Sequence, residues 1–204
     1  MKKTTILIVV CALIFNFSAC KSEKKETNTD SKKSDAAFSL KKSENEINFT
    51  AYKYTEKFPV GGQFRQVKIT SGGDGNSIKE AINNTEFSIP ISSLFTKDSG
   101  RDYKIQKFFF GVMENTKLLS GKLSIENDSI GAATIVMNGV SNKIPFKYTI
   151  NENTFAMNAT MDVNNWNASK ALASLNKICE ALHTGSDGIT KTWSEVALNI
   201  KAKF

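Results

Sequence analysis

Apolar and polar side chains alternate along most of the chain after residue 46. In the clearest segment, 155–163, one set of alternate positions is apolar and the other is nearly all polar. A period of two residues is typical of a β-strand with one buried face. The same alternation recurs at 47–55, 60–70, 87–91, 119–125, 130–138, 144–150 and 196–204. The pattern therefore predicts about eight strands.

Clusters of turn-forming residues separate these segments. Glycine, asparagine and aspartate, which tolerate tight backbone geometry, are concentrated at 72–76, 127–128, 138–139 and 151–153. Short spacings between consecutive strands favour antiparallel hairpins. Eight antiparallel strands can close into a barrel, which removes exposed sheet edges. The predicted fold is mainly β, an eight-stranded antiparallel barrel with short helices at 77–84 and around 102–110.

One long helix is predicted over about 167–183. Its apolar positions follow the spacings of three, four and seven residues that a single buried helix face requires. They are Ala171, Leu172, Leu175, Ile178, Cys179 and Leu182. Gly185 follows as a C-cap. We expect Cys179 to be a small buried hydrophobic residue and His183 to cap the last helical carbonyls and interact with the helix dipole.

The N-terminal segment 1–19 has the features of a signal peptide. It begins with two lysines, continues with an apolar run over 6–15, and ends in small residues directly before Cys20. The run is too short to span a bilayer as a helix, which needs about 20 residues. A cysteine after small residues resembles a bacterial lipoprotein signal, which predicts acylation of Cys20. The alternative is an ordinary secreted protein cut near Ala19.

A polar segment separates this signal from the predicted barrel. Residues 20–46 are rich in Lys, Glu, Ser, Thr and Asn and have too few apolar side chains to offset the entropy of ordering. We therefore expect a flexible tether at 20–46 and one folded domain at 47–204. The protein is expected to be exported and lipid-anchored at the bacterial cell envelope. Cys179 has no predicted disulfide partner.

Composition and charge narrow the classes of function. The 204 residues are 40% hydrophobic and 23% charged, with a formal net charge of +7. Arg65 and Arg101 are the only arginines, so the bidentate contacts common in nucleic-acid recognition are scarce. The single histidine, His183, argues against histidine-rich zinc sites and most hydrolase triads. No nucleic-acid partner is expected.

Motifs for catalysis or cofactor binding are nearly absent. The chain has no nucleophile elbow, phosphate loop, CxxC pair or HExxH helix. Loop residues near Asp74 and Asp187 provide too few ligands for a calcium site. We therefore expect no metal, no cofactor and no enzymatic activity.

Four motifs in order resemble the YceI-like family over roughly 47–204. They are Pro59–Phe64, Phe87–Pro90 leading through Thr96 to Gly100–Asp102, Lys107–Gly111, and Ile135–Lys143. The resemblance implies a lipocalin-like eight-stranded barrel whose long apolar channel holds a polyisoprenoid or other amphiphilic chain. Two segments depart from the family pattern, 47–57 and 161–166, and they leave the ligand's identity open.

The apolar strand faces then suggest which side chains would contact such a ligand. The expected ligand-binding residues are Phe87, Ile89, Phe109, Met113, Leu123, Ile135, Met137, Phe146, Phe155, Met157, Met161 and Trp166. Small residues leave room, and methionines adapt to chains of varied shape. From composition alone, a hollow barrel and a filled one remain open. Of the three phenylalanines at 108–110, at least one is expected to line the channel mouth or rest on the membrane.

Two functional hypotheses follow. The first is an envelope lipoprotein that binds a polyisoprenoid, quinone or fatty-acyl chain as carrier or buffer, without catalysis. The second is a tethered structural or interaction protein with a filled barrel and an unidentified protein partner. Arg101 and Asp102 are expected to pair with each other or with a loop and to fix the short aromatic helix over one end of the barrel.

Overall fold

A ten-stranded antiparallel sheet makes up most of the computed structural model, which describes residues 36–204. The strands are β1 (Phe38–Ser39), β2 (Glu44–Lys53), β3 (Phe58–Phe64), β4 (Lys68–Ser71), β5 (Asp74–Gly75), β6 (Glu86–Pro90), β7 (Leu94–Phe95), β8 (Leu118–Ile125), β9 (Ile130–Met137), β10 (Val140–Asn151), β11 (Thr154–Asp162) and β12 (Glu195–Lys203). The order across the sheet is β4-β6-β8-β9-β10-β11-β12-β2-β3-β7, and β1 pairs separately with β5.

The two ends of this sheet are joined by the chain itself. β4 is the first strand in the order and β3 is the last but one, yet only residues 65–67 separate them along the chain, a link that spans at most about 14 Å. A second short link, 91–93, joins β6 to β7 at the other end of the order. The Arg65 amide donates to the Ser93 carbonyl at 3.0 Å, which continues the β3–β7 ladder beyond the Phe64–Leu94 pair. The sheet therefore curls and brings its two ends close together. This confirms the predicted antiparallel barrel, with ten strands in the sheet instead of about eight. The predicted strand at 60–70 is broken into β3 and β4, and the 3₁₀ turn Ile91–Ser93 separates β6 from β7.

The Asn138–Gly139 turn joins β9 to β10 as the sequence predicts. Both residues have positive φ, 53° and 70°, and β9 and β10 continue the antiparallel ladder from the Met137–Val140 pair. Two consecutive positive-φ residues twist the chain in the sense of the flanking strands, which explains why an Asn-Gly pair is favoured here.

Helical segments cover the two ends of the barrel. They are α1 (Ile78–Ile82), α2 (Ser99–Lys104), α3 (Ser169–Ile178) and α4 (Glu180–His183), with a π turn at Ile105–Phe109 and 3₁₀ turns at Phe110–Val112 and Val163–Trp166. α1 lies beside β1 and β5, and α3 packs on the π turn. We call the end formed by 99–112 and 163–193 the helical end, and the opposite end, where β2 begins, the α1 end.

The predicted long helix over 167–183 is wrong in its continuity. The chain breaks at Cys179, whose φ of −104° and ψ of 12° separate α3 from α4. Because the turn changes direction there, Ile178 and Leu182 leave the predicted buried face and are 45% and 54% exposed. Cys179 itself is buried as predicted, and burial raises the pKa of its thiol.

Both predicted short helices are present. α1 lies within 77–84, and its N-cap Ser77 accepts a hydrogen bond from the Glu80 amide at 3.2 Å. The helical run near 102–110 is longer than predicted, from Ser99 to Val112, because Asp98 caps its start by accepting from the Arg101 amide at 3.0 Å.

The folded part begins before residue 47. Phe38 lies edge-on against Phe204 with 5.8 Å between ring centroids, Leu40 is buried, and β2 starts at Glu44. The predicted tether at 20–46 is therefore too long at its C-terminal side, because pairing with β5 orders its last residues. The predicted signal peptide and Cys20 lie outside the described residues. No helix within 36–204 has the length and apolar character needed to cross a membrane.

Candidate functional site

An apolar cavity extends through the barrel from one end to the other. The space open to the centre of a water-sized molecule is about 230 Å³. The lining includes Leu40 and Ile82 at the α1 end and Leu172 and Leu175 at the helical end. Among the described residues, no Asp, Glu, Lys, Arg or His side chain lines it. Such a cavity suits a hydrocarbon chain better than a polar metabolite.

The cavity is bordered by every strand of the ten-stranded sheet except β10. The interior beside β10 is filled, because Ile144, Phe146 and Tyr148 are all buried and Tyr148 stacks on Phe155 at 5.2 Å between centroids. The interior thus combines the two alternatives that the sequence leaves open, because it is packed beside β10 and hollow along the other nine strands.

Phenylalanine rings lie over glycines on facing strands. The cross-strand pairs are Phe49–Gly62, Phe87–Gly121 and Phe146–Gly131. A Cβ atom added to Gly121 would lie 2.6 Å from Cζ of Phe87, closer than side chains pack. The absence of a side chain lets each ring rest against the backbone of its neighbour. This packing keeps Phe49 and Phe87 in the cavity wall and out of its centre.

The π turn directs three side chains into the cavity. Ile105, Phe109 and Phe110 line it, and the rings of Phe109 and Phe110 meet edge-on at 5.0 Å. A π turn places residues five apart above one another, which explains how Ile105 and Phe110 face the same way. Phe108 is half-buried and lies 6.3 Å from the Tyr103 ring. Two of the three phenylalanines at 108–110 therefore line the cavity.

Nine of the twelve expected ligand-binding residues line this cavity. They are Phe87, Ile89, Phe109, Leu123, Ile135, Met137, Phe155, Met157 and Met161. The other three, Met113, Phe146 and Trp166, do not line it and belong to the packed core. Trp166 is 0% exposed and its Nε1 donates to the Ile135 carbonyl at 2.9 Å. It therefore supports β9 through the backbone of a residue that lines the cavity, without lining the cavity itself.

The sequence pattern does not identify many of the residues that line the cavity. The additional lining residues include Ile47, Phe49, Phe64, Ile69, Leu119, Val196, Leu198 and Ile200. Most of them lie in predicted strands such as 47–55 and 196–204, but alternation alone does not show whether an inward side chain meets open space. Trp193 lies in a segment without periodicity, and no sequence signal marks it as a lining residue.

A short hydrogen-bond chain borders the cavity at the helical end. Thr192, which lines the cavity, donates to Oδ1 of Asn176 at 2.6 Å, and its hydroxyl also lies 2.6 Å from Nδ1 of His183. The pKa of His183 is lowered to about 4, mainly by burial and further by the positive charges of Lys53, Lys104 and Arg101. The imidazole is therefore neutral at pH 7.

The expected capping role of His183 is wrong. Its ring bonds Thr192, and the C-terminal carbonyl of Leu182 instead accepts from Nζ of Lys53 at 2.9 Å. A neutral imidazole also makes no charge interaction with the helix dipole. His183 is thus a polar packing residue that links α4 to the segment before β12.

Arg101 and Asp102 do not pair with each other. Oδ1 of Asp102 accepts from the amide and the hydroxyl of Thr96, at 2.8 and 2.6 Å, and Arg101 lies 3.7 Å from Asp98. Since Thr96 is buried beside Gly62, the Asp102 carboxylate fixes α2 to the barrel through a loop contact, one of the two expected arrangements.

The cavity wall is chemically almost uniform, since its polar side chains are Asn45, Asn48, Thr85 and Thr192 and the indole of Trp193. Across residues 36–204, no three His, Cys, Asp or Glu side chains are grouped so that they could hold a metal ion. The neutral imidazole of His183 and the thiol of Cys179, whose pKa is raised by burial, do not line the cavity.

Solved structures show the same fold at low sequence identity. A polyisoprenoid-binding domain from Saccharophagus degradans, implicated in plant cell wall breakdown, has a TM-score of 0.56 at 11% identity, over 82% of this chain and 98% of that one. BcnA from Burkholderia cenocepacia has a TM-score of 0.51 at 12% identity, over 78% of this chain and 94% of that one. No curated protein sequence matches.

The family model for the YceI-like domain matches residues 38–204. Its first residue coincides with the start of β1 and its last with the end of the chain after β12. The match covers every strand of the barrel and both of its helical covers. The chain therefore belongs to the YceI-like domain family.

Proposed function

We propose that this domain binds a long-chain amphiphile, of the polyisoprenoid, quinone or fatty-acyl type, in the cavity of its barrel. The observation that carries the proposal is a cavity that passes through the barrel with no charged side chain of residues 36–204 in its wall. The polyisoprenoid-binding domain with the same fold supports it.

The size of the cavity fits such a ligand. The volume open to the centre of a water-sized sphere is about 230 Å³, and one such group needs about 10–15 Å³ of it. The cavity therefore has room for roughly 15–20 methylene-sized groups. At about 0.8 kcal/mol for each buried methylene, a chain of about 15 gains about 12 kcal/mol before the costs of association are subtracted. Micromolar to nanomolar binding is the expected range.

The role we propose is that of a carrier or buffer without catalysis. We further propose that the chain is exported, that Cys20 is acylated, and that the domain is held at the cell envelope by this anchor. The basic start, the apolar run over 6–15 and the small residues before Cys20 support this proposal. Several acyl chains on one residue give a stable membrane attachment.

Mass spectrometry of copurifying lipid tests the binding proposal. The full chain is produced with its own export signal, extracted under native conditions and compared with two variants. Ala51→Phe adds a ring inside the cavity wall, whereas Ala197→Phe adds the same ring on the neighbouring strand β12, at a position outside the lining.

The expected result is a long-chain lipid in near-stoichiometric amount with the wild type and Ala197→Phe, and at least tenfold less with Ala51→Phe. An empty wild type that also binds no added fatty acid or isoprenoid would refute the proposal and favour the interaction-protein hypothesis. The mass of the N-terminal peptide tests the anchor separately, since acylation is expected on Cys20 and must be lost in Cys20→Ser.

A further inference from the structure

Exposed apolar side chains are concentrated at the helical end of the barrel. The large side chains that are about half exposed there are Phe58, Tyr103, Val112, Ile178, Leu182 and Ile189, and we call them the apolar rim. The remaining exposed large hydrophobic residues of the described chain, Leu118, Ile130 and Val136, lie on wall strands β8 and β9. Scattered single residues need no explanation, but a grouped set at one end does.

Specific contacts join part of the rim into one surface. Nζ of Lys53 donates to the Leu182 carbonyl at 2.9 Å and lies 5.9 Å from the Phe58 ring. The Thr55 hydroxyl donates to Asp187 at 2.5 Å, which brings the loop containing Ile189 to the same hairpin. Phe58 and Leu182 therefore lie on either side of Lys53, and the loop that carries Ile189 contacts the same hairpin.

Lysines and aromatic rings alternate across this surface. Lys53 lies 4.3 Å from the Tyr54 ring centroid, Lys191 lies 5.0 Å from that of Trp193, and Lys107 lies 5.2 Å from that of Tyr103. Tyrosine, tryptophan and lysine in this combination are typical of the membrane–water interface, where the apolar body of each side chain is buried and its polar tip stays wet.

The charge of the surface fits an anionic partner. Among residues 36–204, none of the lysines at 53, 104, 107, 177 and 191 forms an ion pair. Three carboxylates at the same end are engaged, because Asp102 accepts from Thr96, Asp187 from Thr55, and Glu195 pairs with Lys57. The five lysines therefore outnumber the two other carboxylates near the rim, Glu56 and Glu180. Unpaired lysines beside apolar side chains attract acidic lipid headgroups.

The cavity reaches the same end. Ile105, Leu172, Thr192 and Trp193 line it and belong to the segments that carry the rim. We infer that the helical end docks on the surface of a bilayer that contains anionic lipid, so that the ligand's chain passes between membrane and cavity without crossing water. This inference rests on the proposed lipid-binding function.

Vesicle cosedimentation tests the inference. Residues 36–204 contain every described strand and both covers of the barrel and include the whole family match at 38–204, so this fragment is used without the signal segment or Cys20. It is mixed with phosphatidylcholine vesicles that contain either no phosphatidylglycerol or about 30% of it. The rim variant is I178Q/L182Q, and the matched control is I130Q/V136Q on the barrel wall.

The expected result is binding to the anionic vesicles that weakens in high salt, falls at least tenfold in the rim variant and is unchanged in the control. Absence of wild-type binding, or equal binding by both variants, would overturn the inference. So would a wild-type dimer that the rim substitutions convert to monomer, because the rim would then be a self-association surface.

A second measurement separates this inference from the proposed function. A fluorescent fatty acid is added from solution to the same proteins without vesicles. Uptake by the rim variant equal to that of wild type shows an intact cavity, so any loss of vesicle binding reports the docking surface alone. Failure of wild-type uptake would count against the lipid-binding proposal, whatever the vesicles show.

Discussion

Replacing Gly62 by alanine tests whether the cavity wall depends on rings packed over glycines. A Cβ at this position would lie 2.8 Å from Cε1 of Phe49 and 2.9 Å from Cγ2 of Thr96. Attractive contact between carbon atoms occurs at about 3.5–4.0 Å, so the ring must retreat by about 1 Å. The backbone of β2 lies behind the ring, and the open space in front of it is the cavity.

The magnitude follows from two opposing effects. Overpacking costs about 1–3 kcal/mol, and the loss of glycine's freedom in the unfolded chain returns about 0.5–1 kcal/mol. We therefore expect Gly62→Ala to lower the free energy of unfolding by about 1–2 kcal/mol. The displaced ring removes space for one or two methylene groups, at about 0.8 kcal/mol each, so lipid binding weakens about 4- to 15-fold.

Urea unfolding and titration with a fluorescent fatty acid measure the two effects on residues 36–204. The adjacent Gly61→Ala is the matched control, because its Cβ would meet nothing closer than the Phe49 carbonyl oxygen at 4.0 Å. We expect Gly61→Ala to bind as wild type and to be at least as stable. Equal stability and equal affinity in the two variants would show that the Phe49 ring does not define the wall.

Three further predictions address other parts of the site. Trp166→Phe removes the Nε1 hydrogen bond to the Ile135 carbonyl. It is expected to lower the free energy of unfolding in urea by about 2–4 kcal/mol and to leave lipid affinity unchanged. A change in affinity would show that Trp166 belongs to the cavity wall. Since the pKa of His183 falls from 6.5 to about 4 on folding, the folded state disfavours its protonation, so the stability that the neutral ring contributes above pH 6.5 is lost as the pH falls towards 4. His183→Gln should flatten this part of the pH–stability curve by about 1–2 kcal/mol after solvent screening, and identical curves would contradict the burial argument. Lipid at 100 times its Kd should raise the free energy of unfolding by about 2.7 kcal/mol and Tm by about 5–10 °C in wild type and in Ala197→Phe. An equal rise in Ala51→Phe would show that the ligand binds outside the cavity.

The strands were predictable because their signal is local. The alternation over 155–163 and 196–204 becomes β11 and β12, with the apolar set facing inward. The Asn138–Gly139 turn was equally readable, since two positive-φ residues in a hairpin require such residue types. These features depend on residues a few positions apart, so a local sequence pattern is enough to predict them.

Other features depend on contacts between distant segments. The strand breaks at 65–67 and 91–93 occur where the chain crosses between the two ends of the curled sheet. No local sequence pattern marks these crossing points. The break at Cys179 contradicts a helical period that continues through it, because packing on the π turn and the Lys53–Leu182 contact redirect the chain. Tertiary contacts override local propensity at these points.

The same limit explains which of the expected ligand-binding residues line the cavity and which do not. Methionine and phenylalanine on β11 could be assigned to the barrel interior, but whether an inward residue meets a ligand depends on what stands opposite. Phe146 faces inward yet packs against Phe155 and Tyr148, whereas Leu198 faces open space. That distinction is set by which side chains lie opposite one another inside the barrel.

An empty cavity inside the barrel has an energetic consequence that bears on function. At about 24 cal/mol per Å³, a cavity of about 230 Å³ costs about 5 kcal/mol, which is a large part of the 5–15 kcal/mol that separates typical folded and unfolded states. The packed core around β10 and Trp166 must offset this cost. Three phenylalanines lie over glycines, although larger residues on the wall strands could have filled the space. A cavity that stays open at this cost is better explained by a ligand than by a packing defect, and the apolar wall supports our proposal that the ligand is a hydrocarbon chain.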